Sequence, residues 1–312
     1  MSSEPLRPGE ALLTLLSSAT EPVFLIAPFI KQDAMARLLG AIPDDIAVTC
    51  VTRWRPDEVA AGVSDLEVFD LIRARASGTL LLQPHLHAKL YRVGDRRLLG
   101  SANISGRALG WYEPANLEIL LAVDGPNDAL DLFEQNLFTT VMPASPQVRD
   151  AVALAAAAIA ATMPKSGWNA VPSTQTVLSS SYWLPTCPRP DLLYRVYAGT
   201  IGDMLLANSR VLGENDLAFL EPPAGLSDRN FHAFIGAMLR QVRWIQDLDQ
   251  LTTQGLTDSV AAATITASLP PDHDFSPEAL WNVTKDWLVY FFPNQYDRLP
   301  AGEMLRKRRQ VI

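Results

Sequence analysis

The sequence predicts an α/β fold, a mixed sheet flanked by helices, followed by a mainly helical C-terminal domain. Three observations carry that expectation. Apolar runs of strand length, Val23 to Ala27, Ile46 to Val51 and Thr79 to Gln83, alternate with stretches of helical pattern, the arrangement that puts helices on the faces of a sheet. Two further runs meet across a turn at Gly94-Asp95. Beyond Pro164-Lys165-Ser166-Gly167, which reads as a linker, helical patterns dominate. The expected domains are therefore residues 1–165 and 166–312.

In chain order, residues 1–20 hold a short helix with Leu12, Leu13, Leu15 and Leu16 on its apolar face. Pro28 ends the first strand, and Gln32 to Ala41 is helical. After the second strand, Arg53-Trp54-Arg55-Pro56 leaves the sheet and helical segments continue through Ala74. Ser77-Gly78 turns the chain into the third strand. His87 to Lys89 is assigned to the first strand of the hairpin, Arg96 to Leu99 to its return, and Asn116 to Val123 to a further strand. Pro126 to Phe138 follows as a helix with Asp128 and Asp131 near its positive end, and Gln147 to Thr162 as an Ala-rich helix. In the second domain Ser173 to Ser181 is polar, and Pro185, Pro188 and Pro190 crowd one loop. Helices are expected at about 228–251, 257–268 and 277–292, the last opened by Ser276-Pro277-Glu278. The basic cluster Leu305 to Arg309 is placed on a final helix.

Composition narrows the class. With 48% hydrophobic and 19% charged residues, the 312-residue chain is globular and not disordered. A net charge of −8 argues against nonspecific coating of nucleic acid, but a site needs only local positive potential. Cys50 and Cys187 make no disulfide framework, which points to a reducing compartment. The N-terminus is acidic where a signal peptide needs a basic lead, and the apolar run Ala151 to Met163 is too short to span a bilayer. A cytoplasmic protein with no membrane partner is expected. Two separated Cys and four His offer no zinc spacing, and no Gly-rich loop precedes a helix; neither a metal nor any other cofactor is expected. Asp272-His273-Asp274 reads as a charged turn, Asp44-Asp45 as a loop, and His232, beside Phe231 and Phe234, as a packed imidazole. Trp183, Trp244, Trp281 and Trp287 have the chemistry to stack on bases, but aromatics at helical spacing read as core.

The chemistry concentrates between His87 and Glu118. In an extended chain residues i and i+2 share a face, so His87 goes with Lys89, Ser101 with Asn103, and Asn116 with Glu118. An imidazole, an ammonium, a hydroxyl, an amide and a carboxylate can thus converge on one pocket carried by rigid elements. Arg53, Arg55, Arg92, Arg96, Arg97 and Arg107 lie close by in sequence. Of these, Arg96 and Arg97 read as solvated hairpin residues, while Arg53, Arg55 and Arg107, with Asn116, are candidates for binding substrate.

This succession of HxK, GSxN and NxE resembles the phospholipase D (HKD) superfamily of phosphodiesterases over residues 20–145. VFLIAPFIK and VTCVTRW look like the first two strands of that fold. The resemblance departs at one place. The position five residues after Lys89, usually Asp, is Gly94, with Asp95 next, and the Lys-to-GS spacing is one residue short. The resemblance implies a phospholipase D-like sheet and a metal-free mechanism in which His87 attacks phosphorus to form a phosphohistidine. Lys89 would clamp the phosphate, Asn103 would donate to the same oxygens with Ser101 assisting, and Glu118 would hold the far nitrogen of the His87 ring.

A second imidazole must protonate the leaving group from the opposite side. His85, His232 and His273 are the other histidines, and none stands in an HxK with a GSxN behind it. His85, two positions from His87 on one strand, is about 7 Å away on the same side. A two-fold homodimer, the arrangement of single-motif members and the commonest closed oligomer, brings two His87 side chains together. The expected function is a metal-independent nuclease, on DNA before RNA, similar to those of bacterial restriction and phage defence. Residues 166–312 would recognise substrate or partner proteins, with Arg306 to Arg309 available to phosphates. Two other readings stay open: a non-catalytic subunit of a defence or nucleic-acid-processing complex, and a lipid phosphodiesterase.

Overall fold

Val23–Ile26 (β1) and Val48–Thr52 (β2) are uninterrupted apolar or β-branched runs, and both lie in the interior of a sheet, buried at nearly every position. Such runs suit parallel strands covered on both faces. β1, β2 and Gly78–Leu82 (β3) are parallel, in the registers Val23↔Val48 and Val48↔Gly78. The crossovers are Gln32–Leu39 (α2) between the first pair, and Pro56–Ala60 (α3) with Val68–Arg73 (α4) between the second. Pro8–Ser17 (α1) precedes β1 and buries Leu12, Leu15 and Leu16. The computed structural model describes residues 7–162, 183–201, 207–252, 256–268, 276–298 and 304–307. The chain divides into two compact units, Met1–Trp168 and Asn169–Ile312.

On the far side of β1 the sheet becomes antiparallel. Leu90–Val93 (β4) pairs with β1, Arg96–Gly100 (β5) with β4, and Leu120–Asp124 (β6) with β5. Pairing of Val93 with Arg96 leaves Gly94-Asp95 as the expected two-residue turn, and Gly94 takes φ 54°, a region natural to glycine. Asp128–Thr140 (α5) follows, capped by Asn127 accepting from Leu130 N. Met142–Pro143 (β7) then pairs with β3, a short edge strand the sequence did not announce. The full order is β6-β5-β4-β1-β2-β3-β7. Pro146–Ala160 (α6) closes the unit, with Ser145 as its cap.

Two strand expectations and one of exposure shift. His87 and Lys89 precede β4 instead of lying in it, because Pro84-His85 spends that stretch on a turn closed by Leu86 N donating to Gln83 O at 3.0 Å. The ladder reaches only one rung further, from Gly100 N to Lys89 O at 3.2 Å. Asn116 and Glu118 likewise lead into β6. Arg97 is not solvated. It is buried against α5, with Asp131, Glu134 and the Gly125 carbonyl around its guanidinium. Arg96, one residue earlier, points out and donates to Ser18 Oγ at 3.1 Å.

The second unit is mainly helical: Leu193–Tyr197 (α7), Ala207–Leu220 (α8), Asp228–Leu239 (α9), Arg243–Leu251 (α10), Asp258–Ser268 (α11) and Pro277–Phe291 (α12). The single helix expected over 228–251 is two, broken where Val242 turns extended. Ser276 caps α12 as expected, accepting from Ala279 N at 3.0 Å. Leu305 to Lys307 is not helical. Met304–Lys307 (β10) pairs antiparallel with Leu256–Thr257 (β8) and Tyr296–Arg298 (β9), so a partner strand overrides local preference. Trp281 and Trp287 are core, and Trp183 stacks on Phe219 with centroids 4.5 Å apart. His232 packs against Tyr290 and Phe291. Among the described residues no helix is long and apolar enough to cross a membrane. The linker at 164–167, the polar run 173–181, the 272–274 turn, the Trp244 side chain, Arg308 and Arg309 lie outside the described residues.

Candidate active site

The site forms where β4, β5 and β6 give way to their connecting segments. Tyr91, fully buried in β4, donates its hydroxyl to Ala102 O at 2.6 Å and so pins the segment after β5. Ile104 bridges in parallel to Ile30, with Lys31 N donating to Ile104 O at 2.8 Å. Between these two anchors, alternation leaves Ser101 exposed, Ala102 buried and Asn103 half-buried, as the i, i+2 reading requires. Asn103 Oδ1 is buried and takes no hydrogen bond among the described residues.

Ser101 is the junction. Its N–H donates to Ile119 O at 2.9 Å, its hydroxyl accepts from Ile119 N at 3.1 Å and donates to the Glu118 carboxylate. The other Glu118 oxygen accepts from Asn116 Nδ2 at 3.1 Å. The carboxylate therefore holds Ser101 and Asn116, and not the His87 ring that the family resemblance assigned to it. Its charge still reaches Lys89, where it opposes the lowering of the pKa by lost hydration and Arg53.

Gly100 makes this junction possible. A Cβ there would lie 1.9 Å from Ile119 O, a backbone atom that cannot turn aside. Gly100→Ala should push β6 from β5, destabilise the chain by about 1–3 kcal/mol and separate Ser101 from Glu118. Denaturant titration beside a cleavage assay checks it. Wild-type values in both would mean that the strands do not approach this closely.

His87 is exposed and Lys89 half-buried. Lys89 Nζ donates to the His87 carbonyl at 2.8 Å, leaving two N–H groups for an anion. The His87 pKa lies below the ordinary value, first through lost hydration, then through the charges of Lys89 and Arg53. Lys89 is lowered in the same way, by lost hydration and then Arg53. Three cationic or cationisable groups thus share one locality.

Arg53 is the member of the arginine set that belongs here. It donates through Nε to Glu58 Oε2 at 3.0 Å, through Nη2 to the other Glu58 oxygen and through Nη1 to Leu86 O at 3.0 Å. Glu58 was missed in the sequence. It is buried, and that burial pushes it up to about 7 against the pull of Arg53. The one available signal was an acid set five residues past Arg53 in a helix that starts at Pro56. Arg55, expected to bind substrate, is buried at 6% exposure and pairs with Asp57 at 3.4 Å. Its side chain is committed to the packing around α3. Arg107 is exposed, its side chain makes no hydrogen bond or ion pair among the described residues, and its carbonyl accepts from Asn116 N at 3.1 Å. His85 precedes the site, its N–H donating to Gln83 Oε1 at 2.8 Å. Among the described residues no three His, Cys, Asp or Glu side chains gather as metal ligands would.

The chain is similar in structure to a phospholipase D family member. That protein is Nuc from Salmonella typhimurium, 18% identical, with a TM-score of 0.34 over 43% of this chain and 88% of Nuc. NucT from Helicobacter pylori is likewise 18% identical, with a TM-score of 0.32 over 41% of this chain and 82% of NucT. TrmBL2, an archaeal chromatin protein with a novel mode of DNA binding, is 10% identical, with a TM-score of 0.29 over 42% of this chain and 46% of its own. No protein-family model matches the sequence, and no curated protein matches it.

Proposed function

We propose that the first unit is a metal-independent phosphodiesterase that cleaves nucleic acid, DNA in preference to RNA, as a homodimer. The observation that carries this reading is the clustering of Arg53 and Lys89 around an exposed His87 of depressed pKa, beside the Ser101–Glu118–Asn116 junction. A neutral imidazole among cations is a nucleophile placed where phosphoryl oxygens are attracted. In the first step an imidazole nitrogen of His87 bonds to phosphorus. The bond from phosphorus to the leaving oxygen breaks, and that oxygen takes a proton from the partner's His87. In the second step the partner's imidazole takes a proton from water, the hydroxide oxygen bonds to phosphorus, and the phosphorus–nitrogen bond breaks. Lys89, Arg53 and Arg107 carry the charge on the phosphoryl oxygens. Residues 166–312 are assigned to substrate or partner recognition, and restriction or phage defence is the setting this chemistry suits.

The test is incubation of the purified chain with supercoiled DNA, single-stranded DNA and RNA in EDTA, with acid-labile phosphate on His87 trapped by rapid quench. Cleavage with a labelled His87 is expected. Intact substrates under all three conditions would remove the proposal.

The electrostatics give a pH dependence. The attacking imidazole must be neutral, so kcat/KM falls as pH drops through its pKa, and the acid limb should lie below the ordinary imidazole value of 6.5. Arg53 repels the imidazolium form. Arg53→Gln removes that repulsion, so the limb should move to higher pH, toward 6.5. A limb that stays in place, or moves down, would mean that Arg53 does not act on His87.

A further inference from the structure

The segment from Ser105 to Ala115 leaves the site and returns to it. Ser105 N donates to Asn103 O at 2.9 Å where it leaves, and Asn116 N donates to Arg107 O at 3.1 Å where it returns. Two helices hold it still. Gly9 N of α1 donates to Leu109 O at 2.9 Å and Arg7 Nη1 to Gly110 O at 2.8 Å, while the Arg37 guanidinium of α2 lies 4.1 Å from the centroid of the Trp111 ring. Tyr112 is fixed at three points. Its N–H donates to Gly106 O at 3.1 Å, its hydroxyl donates to Asp33 Oδ2 at 2.5 Å, and its ring covers Gly106. A Cβ on Gly106 would fall within 3.0 Å of Cγ, Cδ2 and Cε2 of that ring, at separations that place it above the ring plane and not beside its edge. One face of the ring thus rests on backbone, which only a residue without a Cβ allows. Tyr112 is nevertheless 53% exposed, so the opposite face looks into solvent. Arg107, the next residue after Gly106, is exposed as well.

We propose that the outer face of Tyr112 is a subsite for one unpaired nucleobase, with Arg107 meeting the phosphate of the same nucleotide. This rests on the phosphodiesterase reading and deepens it, since it names the substrate class as single-stranded nucleic acid. The link to the site is short at every step. Tyr112 lies on Gly106, Arg107 follows Gly106 in the chain, Arg107 O accepts from Asn116 N, and Asn116 Nδ2 donates to the carboxylate of Glu118 that holds Ser101. An aromatic face stacks on any base, so the subsite tolerates any sequence. In a duplex both faces of a base are taken by its neighbours, and only an unpaired base can turn onto the ring. A ring already held at three points has little side-chain freedom left to lose when a base stacks on it. Asp33 holds the Tyr112 hydroxyl above its ordinary pKa, first by the hydrogen bond and then by its charge, so the ring stays neutral and does not repel the nucleic-acid backbone.

The experiment is fluorescence anisotropy on the full chain carrying His87→Ala, which leaves the probes uncut. The probes are labelled oligothymidylate and an oligomer of abasic deoxyribose phosphate of equal length, which carries the same charge and no bases. Oligothymidylate should bind about 10-fold more tightly. Adding Tyr112→Ala should make the two probes equal, and so should Gly106→Ala, which keeps the tyrosine but displaces its ring. Tyr112→Phe, which keeps the ring, should keep the preference, and Arg107→Gln should weaken both probes alike. With His87 in place, single strands should be cleaved about 10-fold faster than duplex, a ratio that Tyr112→Ala removes. Equal binding of the two probes before any change at Tyr112 overturns the subsite, and that comparison needs no Tyr112 variant to fold. A preference that survives Tyr112→Ala with circular dichroism unchanged overturns it as well. A base preference that depends on Tyr112 in a chain that cleaves nothing keeps the subsite and removes the nuclease reading. Cleavage of single strands and duplex at equal rates, unchanged by Tyr112→Ala, removes the subsite and leaves the nuclease reading standing.

Discussion

His87→Ala should lower the rate of nucleic-acid cleavage by roughly 10⁴-fold or more, while substrate affinity changes less than about threefold. The asymmetry follows from the division of labour at the site. On the proposed reading Lys89 and Arg53 would attract phosphate whether or not an imidazole is present, whereas the Ser101 hydroxyl is engaged by Glu118 and by Ile119 N. His87 is exposed and makes no side-chain hydrogen bond among the described residues, so its loss should not disturb the fold. Lys89→Ala should differ in kind, weakening binding and slowing turnover by about two orders of magnitude each way, since its charge acts in both states. Gel-shift titration beside single-turnover kinetics separates the two. Retention of more than a hundredth of wild-type cleavage by His87→Ala would sink the nucleophile assignment.

Arg97→Ala should destabilise the chain by about 3–5 kcal/mol, the usual result of breaking a buried ion pair from one side. Arg97 lies buried in β5 with Glu134 at 3.5 Å and the Gly125 carbonyl at 3.0 Å, and Asp131 completes its shell. Glu134 is itself buried and bridges to Arg92 at 2.9 Å, so the network ties two strands to α5. Removing the guanidinium leaves Glu134 with one partner and Asp131 with none of this shell. The unfolding midpoint should fall by roughly 10 °C. Arg96→Ala, one residue away and exposed, should stay within about 0.5 kcal/mol of wild type. Equal effects from the two neighbours would contradict the placement of Arg97.

That contrast shows where reading the chain succeeds and stops. Strands β1 to β3, the turn at Gly94 and the Ser276 cap were legible because each is written in a few consecutive residues: an apolar run, a residue free to take positive φ, a hydroxyl before a proline. The alternation of Ser101, Ala102 and Asn103 was legible for the same reason, while the bonds that join Ser101 and Asn116 to Glu118 were not. Local pattern says nothing about what lies opposite a face. Whether Arg96 or Arg97 turns inward depends on α5, more than thirty residues later. Arg53 stands beside His87 while Arg55 is buried, because Pro56 starts a helix that carries Glu58 back to Arg53 and Asp57 back to Arg55. Glu118 meets Ser101 because Gly100 lets two backbones approach, a fact visible only once β6 lies against β5. The sequence by itself determined which chemical groups this protein possesses and which of them alternate along an extended stretch. Tertiary structure alone decided their partners, since burial and pairing energies depend on distant segments that no local window contains.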